Sequence, residues 1–428
     1  MKKQIDCAEL RLGMYVAELD RPWLETPFLF QGFEITSQTE LEDLKRYCKY
    51  VYIETERTDP AALATVKKSA RGPQSSGFGT VTDGVNPKEL ELEMLKQYRA
   101  PRHRSIYSDQ ATVEAEVEAI KAAHEQANVM IDSIMEDARL GKSINTASAK
   151  QLVGKMAQSV IRNPDALVCF SQLKNKDRYT AEHSLRVCIL ALAFGRHLGL
   201  ESGHLEILGL GALLHDIGKM KVPNAILNKP AELTLKEVQI MEQHVPEGVK
   251  LLQQTNIPAQ ALQVVSNHHE HYDGTGYING LKGEIIGQFG LIGAIVDFYD
   301  AMTSDRAYRD ALPSHTILKE IYKTRSKSFS PTLVEQFIQC MGIYPIGSIV
   351  ELNTGDVGVV ININRVHRLK PKVALVLQPD NRPYRTRKTV DLVEDRTSTN
   401  SRYEIATVTE PRKYDINPVD HLPVPKVS

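Results

Sequence analysis

The sequence of 428 residues lacks any uninterrupted run of about 18 apolar residues, the length that a membrane-spanning helix requires. Two lysines follow Met1, but no apolar segment comes after them, so we expect no secretory signal. The formal net charge of −1 argues against the overall basic surface that binds nucleic-acid polymers. We therefore expect neither a membrane nor a nucleic acid as partner, and any anionic ligand has to bind at a local site.

Closely spaced cysteine pairs are also missing. The five cysteines are scattered along the chain: Cys7, Cys48, Cys169, Cys188 and Cys340. We expect them to be reduced and partly buried, as in a cytoplasmic protein. No receiver-like or PAS-like pattern precedes residue 150, so the sequence identifies no input signal.

Helix and strand patterns divide the chain into five predicted parts. They are a small α/β N-terminal domain (1–68), a linker (69–110), a connecting amphipathic helix (111–149), an all-helical domain (150–345) and a small β-rich C-terminal appendage with a polar tail (346–428). The linker assignment depends on Ser69–Pro87, which is rich in glycine, serine and proline. The predicted fold class is therefore mainly α.

The connecting helix has an apolar seam with 3-4 spacing, formed by Val113, Val117, Ile120, Ala127, Ile131 and Ile134. His124 is a polar residue that interrupts the pattern. Such a seam fits a helix packed on its own domain, and it fits equally a helix that forms a homodimer or transmits a signal. The spacing leaves both interpretations open.

Histidine is concentrated in the helical domain, where nine of the 13 lie between residues 183 and 315. Three polar groups interrupt or end apolar helices there: His215-Asp216-Ile217-Gly218-Lys219, His268-His269-Glu270, and Asp297 with Asp300 one turn later. A single histidine would more often have a surface or structural role. The adjacent pairs together, however, predict a metal site.

Metal ligands that are neighbours in the chain suit a site with two ions. Successive helical residues point about 100° apart, so a neighbouring pair serves two ions more easily than one. Imidazole and carboxylate ligands without cysteine suit Fe, Mn, Zn or Ni. Two such ions about 3.5–4 Å apart can hold a bridging hydroxide as nucleophile and clamp a phosphate for in-line attack.

With these motifs in this order, residues 170 to 345 resemble the HD-GYP subgroup of the HD superfamily. The match continues through Asp273-Gly274-Thr275-Gly276-Tyr277 and the segment from Asp297 to Arg309. The segment from Leu10 to Ser37 also resembles a small domain often found before HD-GYP domains. The resemblance implies metal ligands at His183, His215, Asp216, His244, His268, His269 and Asp297.

Further roles follow from the same resemblance. Asp216 would bridge the two ions, and Lys219 would neutralise charge on the phosphate, so both are predicted catalytic residues. Gly218 would allow close approach of the substrate. The predicted dinucleotide-binding residues are Tyr277, Arg306 and Arg309, and Glu270 and Asp300 are expected to orient histidines.

The sequence departs from the family pattern at two positions. Ile278 replaces the proline of the GYP signature, and we expect an altered loop and an intact site. Tyr179 stands where some members have a glutamate that binds a third metal, so two ions are expected.

The resemblance implies a metal-dependent phosphodiesterase that opens cyclic di-GMP to pGpG, with further cleavage to GMP left open. Its cofactors would be two divalent transition-metal ions, Fe or Mn first, with Ni or Zn as alternatives. One alternative function is a cyclic dinucleotide sensor that binds without turnover and signals to a protein partner. Another is hydrolysis of a different nucleotide, such as cyclic GMP-AMP, a dNTP or (p)ppGpp.

Overall fold

The computed structural model describes residues 2–20, 33–35, 38–55, 107–173, 179–304, 311–365, 367–409 and 411–424. They belong to two compact units, Met1–Arg104 and Ser105–Ser428. The predicted glycine-rich linker segment and the predicted binding residues Arg306 and Arg309 lie outside the described residues. The division of the second unit at residues 111, 150 and 346 stays a prediction.

The N-terminal unit is a small antiparallel sheet with one helix, as predicted. Its strands lie in the order β1-β4-β2-β3, and its elements are β1 Lys2–Asp6, β2 Tyr15–Leu19, β3 Phe33–Glu34, helix α1 Gln38–Tyr47 and β4 Tyr50–Glu54. Alternate side chains of β4, Val51 and Ile53, are fully buried, which gives the period of two expected for a strand with one face on the core. Leu44 of α1 closes this core.

Helices make up most of the second unit up to residue 341. They are α2 Val113–Arg139, α3 Thr146–Arg162, α4 Pro164–Phe170, α5 Tyr179–His197, α6 Ser202–Leu214, α7 Asn224–Leu227, α8 Leu235–Glu242, α9 His244–Gln253, α10 Ala259–Asn267, α11 Gln288–Thr303, α12 Ser314–Lys323 and α13 Pro331–Met341. Helices α5, α6, α10 and α11 pack in a ring, each against the next. α6 has buried residues over most of its length, because it lies between α3, α5 and α10.

Helix α2 packs on its own domain. Its predicted seam is buried against α3, α4 and α5, and against the short 3-10 helix Ile217–Lys221. The buried carboxylate of Glu116 forms a bidentate pair with Arg162 of α3, at 2.7 and 2.8 Å. Since the seam is used within the chain, a homodimer formed through α2 would need the outer face of this helix; the oligomeric state stays a prediction.

The C-terminal appendage is a five-stranded antiparallel sheet in the order β8-β7-β6-β5-β9. Its strands are β5 Ile349–Leu352, β6 Val357–Asn362, β7 Lys372–Leu377, β8 Pro383–Asp391 and β9 Ile405–Thr409. The predicted β-rich character is confirmed, but the end of the appendage is not only the polar tail that the sequence predicts. Instead, β9 pairs with β5 and completes the sheet.

Candidate metal centre

The predicted ligands lie mainly at the ends of the four ring helices. His183 is in the first turns of α5, His215 and Asp216 follow α6, and His268 and His269 follow α10. Asp297 lies within α11, and His244 is the first residue of α9. The helix ring thus brings together side chains that are far apart in sequence.

The seven side chains form two adjacent groups. Asp216, His244, His268 and His269 each offer one ligand atom, and these atoms lie within 4.8 Å of one another. The same is true of His183, His215 and Asp297. The carboxylate oxygens of Asp216 face different groups: Oδ1 lies 3.5 Å from His244 Nε2, and Oδ2 lies 3.2 Å from His215 Nε2. Asp216 therefore stands between two potential ion positions.

Backbone carbonyls and one carboxylate orient four of the imidazoles. Nδ1 of His215 donates to the carbonyl of Ala212 at 2.8 Å, and Nδ1 of His244 donates to that of Met241 at 2.7 Å. His268 makes equivalent bonds to the preceding turn of α10, at 3.1 Å. A ring that donates through Nδ1 keeps the Nε2 lone pair free for a ligand bond. All three Nε2 atoms point into the cluster.

His183 is oriented by Asp300, as expected. Oδ2 of Asp300 lies 2.7 Å from His183 Nδ1, and Oδ1 accepts from Arg186 Nε at 2.9 Å. Sequence reasoning did not identify Arg186. The available signal was a charged residue in the otherwise apolar stretch Leu185–Phe194, where an arginine needs a partner.

Two buried atoms test whether these residues fit a metal. Nε2 of His215 and Oδ1 of Asp216 have no hydrogen-bond partner among the described residues. Both residues are 1% exposed. A buried polar atom left unpaired costs about 1–3 kcal/mol, so such atoms usually signal a missing ligand or ion. Imidazole nitrogens beside carboxylate oxygens form a donor set that fits divalent transition metals.

The electrostatics of the cluster favour positive charge at its centre. Burial lowers the pKa of His244 to about 4 and that of His269 to about 3, so both rings are neutral at pH 7, as metal ligands must be. Burial alone would also lower the pKa of His215, but the adjacent carboxylates of Asp216 and Asp297 raise it to about 10. Although burial opposes ionisation of Asp216, the charges of His215 and Lys219 keep its pKa well below the ordinary value.

Lys219 lies beside Asp216 on the 3-10 helix Ile217–Lys221, with its Nζ 2.5 Å from Oδ2. Gly218 allows this helix to pack on α9, because a Cβ there would lie 1.9 Å from the carbonyl oxygen of His244. The close approach that the structure shows is to the backbone of α9. The predicted approach to the substrate stays a prediction.

Glu270 differs most from expectation. Its buried carboxylate accepts hydrogen bonds from the backbone N–H groups of Asn279, at 2.8 Å, and Leu281, at 2.9 Å. Among the described residues no imidazole hydrogen-bonds to it. The ring of Tyr277 stacks on the imidazole of His269, with centroids 4.7 Å apart and planes 25° apart. Glu270 thus contacts the loop that carries Tyr277.

Matches to three family models cover most of the chain. A domain of unknown function (DUF3391) matches residues 2–149, an HD domain matches 148–333, and a KOW domain associated with HD domains matches 349–414. The chain is 35% identical to the cyclic di-GMP phosphodiesterase PA4108 of Pseudomonas aeruginosa over 396 residues, covering 92% of this chain and 89% of the relative. This chain belongs to the HD-GYP family.

Two further relatives match this chain over less than half of their own length. A cyclic di-GMP phosphodiesterase of Thermotoga maritima is 37% identical over 38% of this chain and 45% of its own length. The 3'3'-cGAMP-specific phosphodiesterase 2 of Vibrio cholerae is 28% identical over 70% of this chain and 49% of its own length. None of the described helices is long and apolar enough to cross a bilayer.

Proposed function

We propose that this chain is a metal-dependent phosphodiesterase that hydrolyses cyclic di-GMP to the linear dinucleotide pGpG. The observation that carries the proposal is the convergence of the two ligand groups on either side of Asp216. It is supported by the relatives named as cyclic di-GMP phosphodiesterases, one of which matches nearly the whole chain.

In this proposal His244, His268 and His269 would hold one ion, His183, His215 and Asp297 would hold the other, and Asp216, whose two oxygens face both groups, would serve both. Fe or Mn are the ions we expect first, on the resemblance to the HD-GYP family; the imidazole and carboxylate ligands would also suit Zn or Ni. When bound, such a metal pair supplies Lewis acidity and a nucleophile derived from water near neutral pH.

The protein residues around the cluster have separate tasks. Lys219 is the cation nearest to Asp216, so we assign it to neutralise charge that develops on the phosphate. Tyr277 is half-buried beside His269 and offers an aromatic surface to the substrate. Arg306 and Arg309 remain the predicted phosphate or guanine contacts, on the strength of the sequence motif alone.

The test is to purify the protein anaerobically, measure its metal content and follow the conversion of cyclic di-GMP to pGpG. We expect the His215→Ala/Asp216→Ala double variant to lose metal and activity and to remain folded. His204→Ala/Glu206→Ala is the matched control, since this exposed histidine and acid lie on α6, away from the cluster. Equal turnover by the His215/Asp216 variant and the natural protein would refute the site.

Cyclic GMP-AMP is the second candidate substrate, because one relative that matches 70% of this chain is named as specific for it. Comparing kcat/KM for the two cyclic dinucleotides decides between them. Tight binding of both without release of a linear product would instead indicate a sensor.

A further inference from the structure

We propose that Glu270 is a positioning residue, which fixes the loop Gly274–Leu281 so that Tyr277 is held against His269 for substrate binding. We call this segment the tyrosine loop. The inference deepens the proposed function and, for its kinetic part, rests on it. It replaces the role that the sequence suggested, in which Glu270 orients histidines.

The contacts of Glu270 are unusual for a carboxylate beside a metal cluster. Glu270 is 1% exposed, and its carboxylate accepts hydrogen bonds, among the described residues, from the backbone N–H groups of Asn279 and Leu281 in the last part of the tyrosine loop. Hydrogen bonds that involve an ionised group are roughly twice as strong as neutral ones. One buried carboxylate therefore fixes two points of the loop.

The middle of the loop, at Tyr277, contacts the cluster residue His269. The backbone N–H of Tyr277 donates to the carbonyl of His269 at 3.1 Å. Gly276 permits this contact, because a Cβ there would lie 2.2 Å from the nitrogen of His271 and 2.5 Å from the oxygen of His269. Just before the loop, the backbone N–H groups of Tyr272 and Asp273 donate to the backbone carbonyls of Ser328 and Lys327, respectively.

These contacts connect Glu270 to the loop of Tyr277, and Tyr277 to the cluster. His269 and Glu270 are adjacent in the chain, so His269 stacks on the tyrosine and Glu270 holds the backbone that follows it. If Glu270 is lost, the hydrogen bond from Tyr277 to the carbonyl of His269 remains, and the hydrogen bonds from Asn279 and Leu281 to Glu270 disappear. We expect Tyr277 to sample more positions, which weakens substrate binding and leaves the metal ligands in place.

The experiment compares Glu270→Gln with Glu284→Gln. Glu284 is the matched control because it is exposed and accepts the hydroxyl of Tyr272 at the edge of the same region. For Glu270→Gln we expect the KM for cyclic di-GMP to rise on the order of tenfold, with metal content unchanged and kcat altered much less. Glu284→Gln should retain the natural KM.

A double-mutant cycle separates positioning from a general structural effect. If Glu270 acts through Tyr277, the Glu270→Gln/Tyr277→Ala variant has the same KM as Tyr277→Ala alone. A KM of the double variant that is raised by the product of the two single effects would overturn the proposal. Loss of metal from Glu270→Gln would overturn it as well, because the residue would then support the histidines.

Hydrogen exchange of the segment 274–282 gives a readout that does not need turnover. We expect faster exchange in Glu270→Gln than in the natural protein and in Glu284→Gln. Unchanged exchange would show that Glu270 does not fix the loop. If the natural protein neither binds nor cleaves cyclic di-GMP, the proposed function fails, and the exchange result still decides whether Glu270 fixes the loop.

Discussion

Gly218 occupies the tightest position beside the metal centre. It separates Asp216 from Lys219 on the 3-10 helix, and a Cβ would lie 1.9 Å from the oxygen of His244 and 2.5 Å from the nitrogen of Gly248. Both obstacles are backbone atoms, so the 3-10 helix or α9 would have to move. Gly218 is therefore required by packing between two segments that carry cluster residues.

We expect Gly218→Ala to lower the free energy of unfolding by about 2–3 kcal/mol and to reduce metal content and activity together. Urea denaturation and metal analysis measure both effects. Gly203→Ala is the control, since no atom lies within 4 Å of the added Cβ. Equal stability of the two variants would show that the 3-10 helix can shift at little cost.

The residues of the centre show what a sequence can and cannot predict. Metal ligands are restricted to a few residue types, so His215-Asp216 and His268-His269 in an apolar context are informative without a structure. The partners of Glu270 could not be predicted, because backbone N–H groups carry no sequence signal. The contact of Arg186 with Asp300 could not be predicted either, because the two residues are more than 100 positions apart.

Helix α2 illustrates the same limit for a whole element. Its seam predicted a helix correctly, because apolar residues at 3-4 spacing form one face. The spacing could not reveal what covers that face, since a helix of the same chain and a helix of a second chain require the same residues. His124 is explained only by the fold: its ring stacks on Phe170 of α4, with centroids 4.5 Å apart.

The environment of His124 predicts a pH dependence of stability. Burial lowers its pKa from 6.5 to about 4 in the folded protein. Between pH 4 and 6.5, His124 binds a proton in the unfolded chain and not in the folded chain. The free energy of unfolding therefore falls as the pH drops from about 6.5 to 4, and His124 has no effect on it above pH 6.5. The loss from this residue is at most about 3 kcal/mol.

Urea denaturation of the natural protein and of His124→Gln, at pH 7.5, 6, 5 and 4.5, measures this effect. We expect the free energy of unfolding of the variant to fall less steeply below pH 6.5. Parallel pH profiles of the two proteins would mean that His124 is readily protonated in the folded state.

On the scale of the molecule, the C-terminal sheet is joined to the helical domain by charged groups. Asp165, at the start of α4, is 2% exposed and accepts from Asn362 Nδ2 and from the N–H of Ile363, both at 3.2 Å. Arg365 pairs with Asp165 and, at 2.7 Å, with Asp109. The sequence predicted both regions and could not predict this contact, because its partners are about 200 positions apart.

Removal of the Asp165 carboxylate tests how strongly the sheet is coupled to the helices. Asp165→Ala leaves the Ile363 N–H and one face of Arg365 without their acceptor, and we expect the free energy of unfolding to fall by about 2 kcal/mol. The value is below that of a fully buried pair, because the Arg365 side chain is 35% exposed. Asp380→Ala, which removes an exposed partner of Arg382 in the turn between β7 and β8, is the control and should leave stability unchanged. If the sheet depends on this contact, hydrogen exchange in β6 rises in Asp165→Ala alone, whereas equal exchange in both variants would mean that the apolar contacts suffice.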